Sequence, residues 1–210
     1  WMRRVQPDQR NYQVYLAVDN SKSMKDNTSD MALQSISLIT QALTLLGIGE
    51  LCVAKFGQDT EIVHPFGQTW NDDSGASLID SFRFDEEKTN YDNLLFYSLQ
   101  YLQSVRKTDA MQLFFIISDA VNLGNRDLIK QLVLQAQLKN LLVVFIIIDS
   151  QDKSKRPSVL DTRCLINNTV SYFLDEFPFP FYILINDPKK LPERLADALR
   201  QWFDLANNSQ

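Results

Sequence analysis

The chain has few of the residues on which hydrolytic and zinc-dependent enzymes most often depend. Its 210 residues include one histidine and two cysteines. Two cysteines are too few for a disulfide framework, and because Cys52 lies in an apolar run we expect a buried free thiol there. The single histidine, His64, ends a short strand-like run before Pro65, so we expect it to have a structural role.

Long hydrophobic runs and an excess of basic charge are also absent. The longest apolar run, Leu141–Ile148, has eight residues, whereas a membrane span needs about 20. No secretory signal pattern is present, and a formal net charge of -5 argues against a nucleic-acid footprint. We therefore expect neither membrane nor direct nucleic-acid binding. Because Trp1 precedes Met2, we expect the chain to be a domain of a longer protein.

Two catalytic motifs are missing as well. The chain has no Gly-x-Ser-x-Gly nucleophile elbow and no Walker A sequence for ATP hydrolysis. We therefore expect a binding domain and not an enzyme. The composition, 45% hydrophobic and 22% charged, is that of an ordinary globular domain. The length favours a single domain over 1–210, with an irregular insertion around 151–180.

Strand-like and helix-like patterns alternate along the chain. We predict strands at 13–18, 50–56, 61–64, 112–117, 141–148 and 181–185, and helices at 28–46, 77–82, 91–104, 127–139 and from Pro192 onward. We predict a polar loop at 67–75. This alternation predicts an α/β fold with a mostly parallel sheet, in which 61–64 returns as an antiparallel edge strand. We expect the aromatic run 177–180 to pack in the core.

The most informative feature follows the first predicted strand. Asp19, Ser21 and Ser23 come directly after the apolar run 14–18, and their spacing by two lets three oxygens point into one cavity. One carboxylate and two hydroxyls suit a hard cation such as Mg2+, whereas zinc favours cysteine and histidine. Asp119 follows a later predicted strand, and ligands of parallel sheets bind at the carboxyl ends of strands. An Asx-turn or a helix N-cap would favour the same residues.

These residues form a longer pattern once Thr89, in a loop before a helix, is included. The order Asp-x-Ser-x-Ser, then Thr89, then Asp119 resembles the metal-ion-dependent adhesion site of the von Willebrand factor A family. The resemblance implies a Rossmann-like α/β fold with helices on both faces of the sheet. It also implies that Asp19, Ser21, Ser23, Thr89 and Asp119 bind Mg2+ directly or through water. Mn2+ or Ca2+ would suit the same oxygen ligands.

Two observations complicate this pattern. Thr89 is also placed to cap the helix that we predict to begin near Tyr91. The residue after the distal aspartate is usually glycine in this fold, and here it is Ala120. Because alanine tolerates a positive φ poorly, we expect the backbone after Asp119 to differ slightly from the usual one.

Four stretches, 3–7, 16–24, 175–182 and 191–203, resemble the carboxyl-terminal domain of the midasin family. These very large ATPases remodel precursors of the large ribosomal subunit. The resemblance implies that an acidic residue from a ubiquitin-like domain of a ribosome assembly factor, on a pre-ribosomal particle, completes the coordination of Mg2+. It also implies a nuclear location, in the nucleolus and nucleoplasm. The basic run 153–157 is typical of a solvated loop and also of an import signal.

Two other functions fit the sequence. The chain could be an adhesion or scaffold A-domain in which the metal site is structural or degenerate. A metal-assisted phosphohydrolase is chemically conceivable because aspartates accompany the predicted Mg2+ site. Partner binding that requires both Mg2+ and an acidic residue would separate a metal-dependent binding module from the adhesion or scaffold domain. Turnover of phosphate substrates would favour the phosphohydrolase.

Overall fold

A central sheet of six strands organises the domain. The computed structural model describes residues 11–46, 49–108, 110–149, 157–166 and 169–197. Its main elements are β1 (Asn11–Asp19), α1 (Asn27–Leu46), β2 (Glu50–Phe56), β3 (Thr60–His64), α2 (Asp72–Ser81), α3 (Tyr91–Ser104), β4 (Ala110–Ser118), α4 (Arg126–Leu138), β5 (Leu141–Ile148), β6 (Arg163–Ile166), β7 (Thr169–Tyr172) and β8 (Tyr182–Ile185).

The strand order in the sheet is β3-β2-β1-β4-β5-β8. All neighbouring pairs are parallel except β2 with β3, so the predicted antiparallel edge strand is confirmed. The central strands are nearly continuous apolar runs, and every residue of β5 is buried. Such runs are typical of parallel strands that are covered on both faces.

Helices cover both faces of this sheet, as predicted. On one face, α3 and α4 pack against Tyr15, Phe114 and Phe145, all of which have no exposed surface. On the other face, α1 and α2 pack against a second cluster that contains Leu16 and Phe115. Burying one such aromatic or aliphatic side chain stabilises the fold by about 1.5–3 kcal/mol.

One helix is longer than the sequence pattern predicts. The prediction of a polar loop through 67–75 is wrong in its second half, because α2 begins at Asp72. Asn71 caps it: its Oδ1 accepts a hydrogen bond from the Ser74 amide at 2.8 Å, and the Ser74 hydroxyl accepts one from the Asn71 amide at 2.9 Å. This reciprocal capping box satisfies two amides that would otherwise lack partners.

The insertion after β5 contains more regular structure than the sequence pattern indicates. β6 and β7 pair as an antiparallel hairpin, and a short 3-10 turn, Phe173–Glu176, follows. The rings of Phe177 and Phe179 lie 5.2 and 4.8 Å from the ring of Phe145, so the aromatic run packs in the core as predicted. Most of the basic run, 153–156, lies outside the described residues.

The remaining predictions concern the chain end and two single residues. Residues 191–197 are helical, and the rest of the predicted final helix lies outside the described residues. Cys52 is a free, fully buried thiol, and burial raises the pKa of Cys52 to about 12. His64 is 2% exposed, and its ring lies 5.1 Å from that of Trp70. Among the described residues, no helix is long and apolar enough to cross a membrane.

Candidate metal centre

The carboxyl ends of β1 and β4 bring two aspartates to the same edge of the sheet. The two strands are parallel, with Val18 aligned to Ile117, so that Asp19 ends one strand beside Ser118, which ends the other. Asp119 follows at once. The Ser118 hydroxyl donates a hydrogen bond of 2.6 Å to Asp19 Oδ2, which joins the two strand ends directly.

Asp19 is a buried carboxylate with polar neighbours. It has no exposed surface, and its Oδ1 accepts a hydrogen bond of 2.9 Å from the Ser21 amide. Burial raises the pKa of Asp19 to about 6, and the negative charge of the nearby Asp119 adds to this rise, while hydrogen bonds from Ser118 and Ser21 oppose it. A cation against this carboxylate would therefore relieve an unfavourable buried charge.

Ser21 and Ser23 present two hydroxyl oxygens side by side. Their Oγ atoms are hydrogen-bonded to each other at 3.0 Å, on either side of the start of a 3-10 turn, Lys22–Met24. Two oxygens that bind one Mg2+ at about 2.1 Å in neighbouring octahedral positions lie about 3.0 Å apart. The Ser21 side chain makes no capping hydrogen bond, so its hydroxyl is not used as an N-cap. This donor set fits a hard cation.

The alternative reading as an Asx-turn is also represented in the geometry. The bond from the Ser21 amide to Asp19 Oδ1 spans two residues, which is the local pattern of such a turn. A carboxylate has about four acceptor sites. The turn therefore occupies part of the acceptor capacity of Asp19 and leaves part of it for a cation.

Thr89 lies in the loop directly before α3 and is half-buried. The residue that caps α3 is Asn90, whose Oδ1 accepts a hydrogen bond of 3.0 Å from the Asn93 amide. The alternative in which Thr89 caps this helix is therefore wrong. Glu86 pairs with Ser21 in an isolated parallel bridge. Thr89 comes three residues after Glu86, so the Cα atoms of Thr89 and Glu86 are at most about 11 Å apart.

The prediction that the backbone after Asp119 would differ from that of a glycine at this position is wrong. Ala120 has a φ of 59°, the left-handed conformation that glycine would adopt, at a cost of roughly 1–2 kcal/mol for alanine. Two hydrogen bonds hold the corner: the Ala120 amide donates to Ser118 Oγ at 3.1 Å, and the Val121 amide donates to Asp119 Oδ1 at 3.0 Å. Asp119 itself is 1% exposed.

Sequence reasoning missed two residues that orient Asp19. Ser118 donates to Asp19, and its hydroxyl lies 2.7 Å from that of Tyr91; because the Ser118 proton points to Asp19, Tyr91 is the donor of this second bond. Ser118 was detectable in principle, as a polar residue that ends an apolar run. Within the described residues, no three His, Cys, Asp or Glu side chains converge as a metal-binding group, so a cation here would depend on the hydroxyls.

Two proteins that are similar in sequence to this chain are both midasins. The chain is 36% identical over 219 residues to midasin of Dictyostelium discoideum. The aligned region covers 100% of this chain and 4% of that protein. It is 34% identical over 213 residues to midasin of Giardia intestinalis, covering 97% of this chain and again 4% of the relative. The chain thus spans a small part of the length of these relatives. No protein-family model matches it.

Solved structures share the fold at low sequence identity. The von Willebrand factor A domain of SpRpn10 superimposes with a TM-score of 0.61 and 11% identity, covering 91% of this chain and 95% of that one. A von Willebrand factor type A protein from Catenulispora acidiphila gives a TM-score of 0.57 and 15% identity, with 87% and 40% covered. The predicted fold is therefore confirmed, and so is the predicted resemblance to a domain of midasin.

Proposed function

Because the chain is related over its whole length to midasin and has the von Willebrand factor A fold, we propose that it is a Mg2+-dependent protein-binding module. Its ligand is an acidic residue on a ubiquitin-like domain of a ribosome assembly factor. Von Willebrand factor A domains generally bind other proteins, which agrees with a non-enzymatic role. The domain would connect the assembly factor to a remodelling ATPase during maturation of the large ribosomal subunit in the nucleus.

The observation that supports this proposal best is the pair of serine hydroxyls 3.0 Å apart beside the buried Asp19. Asp19, Ser21 and Ser23 would hold Mg2+, with Thr89 and Asp119 contributing directly or through water. Hydroxyls are neutral ligands, so a site with at most two carboxylates does not overcompensate the charge of the ion. When bound, the ion supplies a positively charged centre that attracts a carboxylate from the partner.

The remaining residues around the site orient the ligands. Ser118 donates to one oxygen of Asp19, and the Ser21 amide donates to the other, which fixes the plane of the carboxylate before any cation binds. Tyr91 holds Ser118 through its hydroxyl. This preorganisation lowers the ordering cost of binding.

A titration tests the proposal directly. The 210-residue chain is titrated with the ubiquitin-like domain of an assembly factor, once in Mg2+ and once in EDTA, alongside a partner in which the acidic residue is replaced by alanine. We expect EDTA and the partner substitution each to weaken binding by at least about 100-fold, as the loss of a buried charge pair would. The S21A substitution should weaken partner binding to the same extent as EDTA does. S104A removes an exposed hydroxyl that donates to the Tyr101 carbonyl and should bind normally. An affinity for the partner that is the same in EDTA as in Mg2+ would refute the proposal.

A second candidate is an adhesion or scaffold domain with a structural or degenerate metal site. It is favoured by the hydrogen bonds that already reach both oxygens of Asp19 from within the chain. In that case Mg2+ would raise the melting temperature or have no effect, and the partner's acidic residue would be dispensable. The same titration separates the two candidates, because only the first requires the partner's acidic residue, whereas bound Mg2+ would raise the melting temperature in either case.

A further inference from the structure

Asn20 connects the first proposed metal-binding loop to a distant segment of the chain. It lies between Asp19 and Ser21 and is 4% exposed. Its side-chain oxygen accepts hydrogen bonds from two consecutive amides, those of Arg83 at 3.0 Å and Phe84 at 2.8 Å. One buried side chain therefore fixes two amides that lie more than 60 residues away along the chain.

The backbone on either side of Asn20 continues this connection. The Glu86 amide donates to the Asn20 carbonyl at 3.3 Å, and the Lys22 amide donates to the Glu86 carbonyl at 2.8 Å. Lys22 and Glu87 form an ion pair above this bridge, but both side chains are well exposed, so it adds little. Ser21 and Glu86 thus form an isolated parallel bridge outside the main sheet.

The segment held by Asn20 leads directly to Thr89, and that loop is anchored on its other side as well. The Gln58 amide donates to Glu86 Oε2 at 3.1 Å, and the Asn90 amide donates to the Gly57 carbonyl at 2.8 Å. A Cβ atom at Gly57 would lie 2.7 Å from the Glu86 side chain, so only glycine allows this approach. Thr89 therefore lies between two fixed points, Glu86 and Asn90.

We infer that Asn20 is a positioning residue that sets Thr89 relative to Ser21 and Ser23, and so completes the metal site before the cation arrives. This inference rests on the proposed function. Phe84 has a φ of 50°, a conformation costly for a bulky residue, and the hydrogen bond from its amide to Asn20 helps to hold it. Removing the acceptor leaves two amides without a partner, which favours release of the whole segment.

The test measures Mn2+ binding to the 210-residue chain by electron paramagnetic resonance, with Mn2+ standing in for Mg2+. We expect N20A to weaken Mn2+ binding by about tenfold or more. N20D keeps an oxygen that both amides can reach and should bind no more weakly than the wild type. The matched control is N71A, which also removes an asparagine oxygen from a backbone amide but at the start of α2; it should lose stability and keep its Mn2+ affinity.

A readout without metal isolates the positioning role. Trypsin cleaves after Arg83, whose amide is bonded to Asn20, so in EDTA we expect N20A to be cut there at least about tenfold faster than the wild type, N20D or N71A. Should N20A fail to fold, E86A removes the carboxylate bond to the Gln58 amide and should weaken Mn2+ binding by about threefold or more.

The outcomes distinguish this inference from the proposed function. Wild-type chain that binds no Mn2+ overturns the proposed function and the inference with it. Wild-type binding with an equal affinity in a folded N20A overturns the positioning role alone. Faster cleavage at Arg83 together with unchanged Mn2+ affinity also overturns it, because the segment would then be released without consequence for the metal site.

Discussion

Replacing Asp19 with asparagine should stabilise the metal-free domain while it abolishes the metal site. The pKa of Asp19 rises from 3.8 to about 6 because the carboxylate is buried, with the negative charge of Asp119 adding to the rise. A group with a raised folded-state pKa contributes stability that is fully present below its unfolded pKa and is lost as the pH rises through the folded pKa. At pH 7 the metal-free domain has therefore lost this contribution.

The magnitude follows from the size of the shift. A change from 3.8 to about 6, at about 1.4 kcal/mol per unit, corresponds to about 3 kcal/mol. Asparagine is neutral at every pH and has nearly the same shape. Its oxygen can still accept from the Ser21 amide, and its amide group can donate to Ser118 Oγ if the Ser118 proton turns to Tyr91, 2.7 Å away. We expect D19N to raise the free energy of unfolding at pH 7 by about 1–3 kcal/mol, allowing for imperfect rearrangement of these bonds.

Urea unfolding in EDTA, at pH 4 and at pH 7, measures this effect. The difference between D19N and the wild type should be small at pH 4 and largest at pH 7. D161N, at an exposed aspartate, is the matched control and should show no such gain. With Mg2+ at about 100 times its dissociation constant, the wild type should gain about 2.7 kcal/mol, and D19N should gain nothing. A D19N variant that is less stable than the wild type at pH 7 in EDTA would refute the reasoning.

Four further substitutions test other parts of the structure. T89A should leave the free energy of unfolding within about 0.5 kcal/mol of the wild type and weaken Mn2+ binding, whereas N90A should lose the α3 cap, cost about 1 kcal/mol and show this in a urea titration. G49A should cost at least about 2 kcal/mol, because its Cβ would lie 2.0 Å from the Tyr12 carbonyl oxygen; an unchanged melting temperature would contradict the clash. F179A should cost about 3–5 kcal/mol in urea unfolding, since this ring is 1% exposed in the core, and a loss below about 1 kcal/mol would mean that the aromatic run is not part of the core.

Local sequence patterns predicted most of the sheet correctly. β2 and β5 have the predicted bounds, and α3 begins and ends where its apolar spacing indicates. These elements were accessible because a buried parallel strand is an unbroken apolar run and an amphipathic helix repeats its apolar residues every three to four positions. The predicted α2 was too short, because the first turn of this helix is polar. A capping box stabilises that turn, and no apolar residue in it indicates a helix.

In the candidate site, too, the sequence predicted some residues and missed others. The sequence alone placed Asp19, Ser21, Ser23 and Asp119 after apolar strands, and parallel strands by their nature end at a common edge. It could not identify Ser118 as the donor to Asp19, because that bond depends on the register of β1 against β4.

Only the tertiary structure decided how the loops at this edge are held. Asn20 and Arg83 are 63 residues apart in the chain, and nothing in the local pattern of either residue indicates that they meet. Side-chain spacing encodes which surface of a strand or helix is buried, since burial repeats with the period of the element. Contacts between loops depend on where the packed sheet and helices bring their ends, and that is settled when the core assembles.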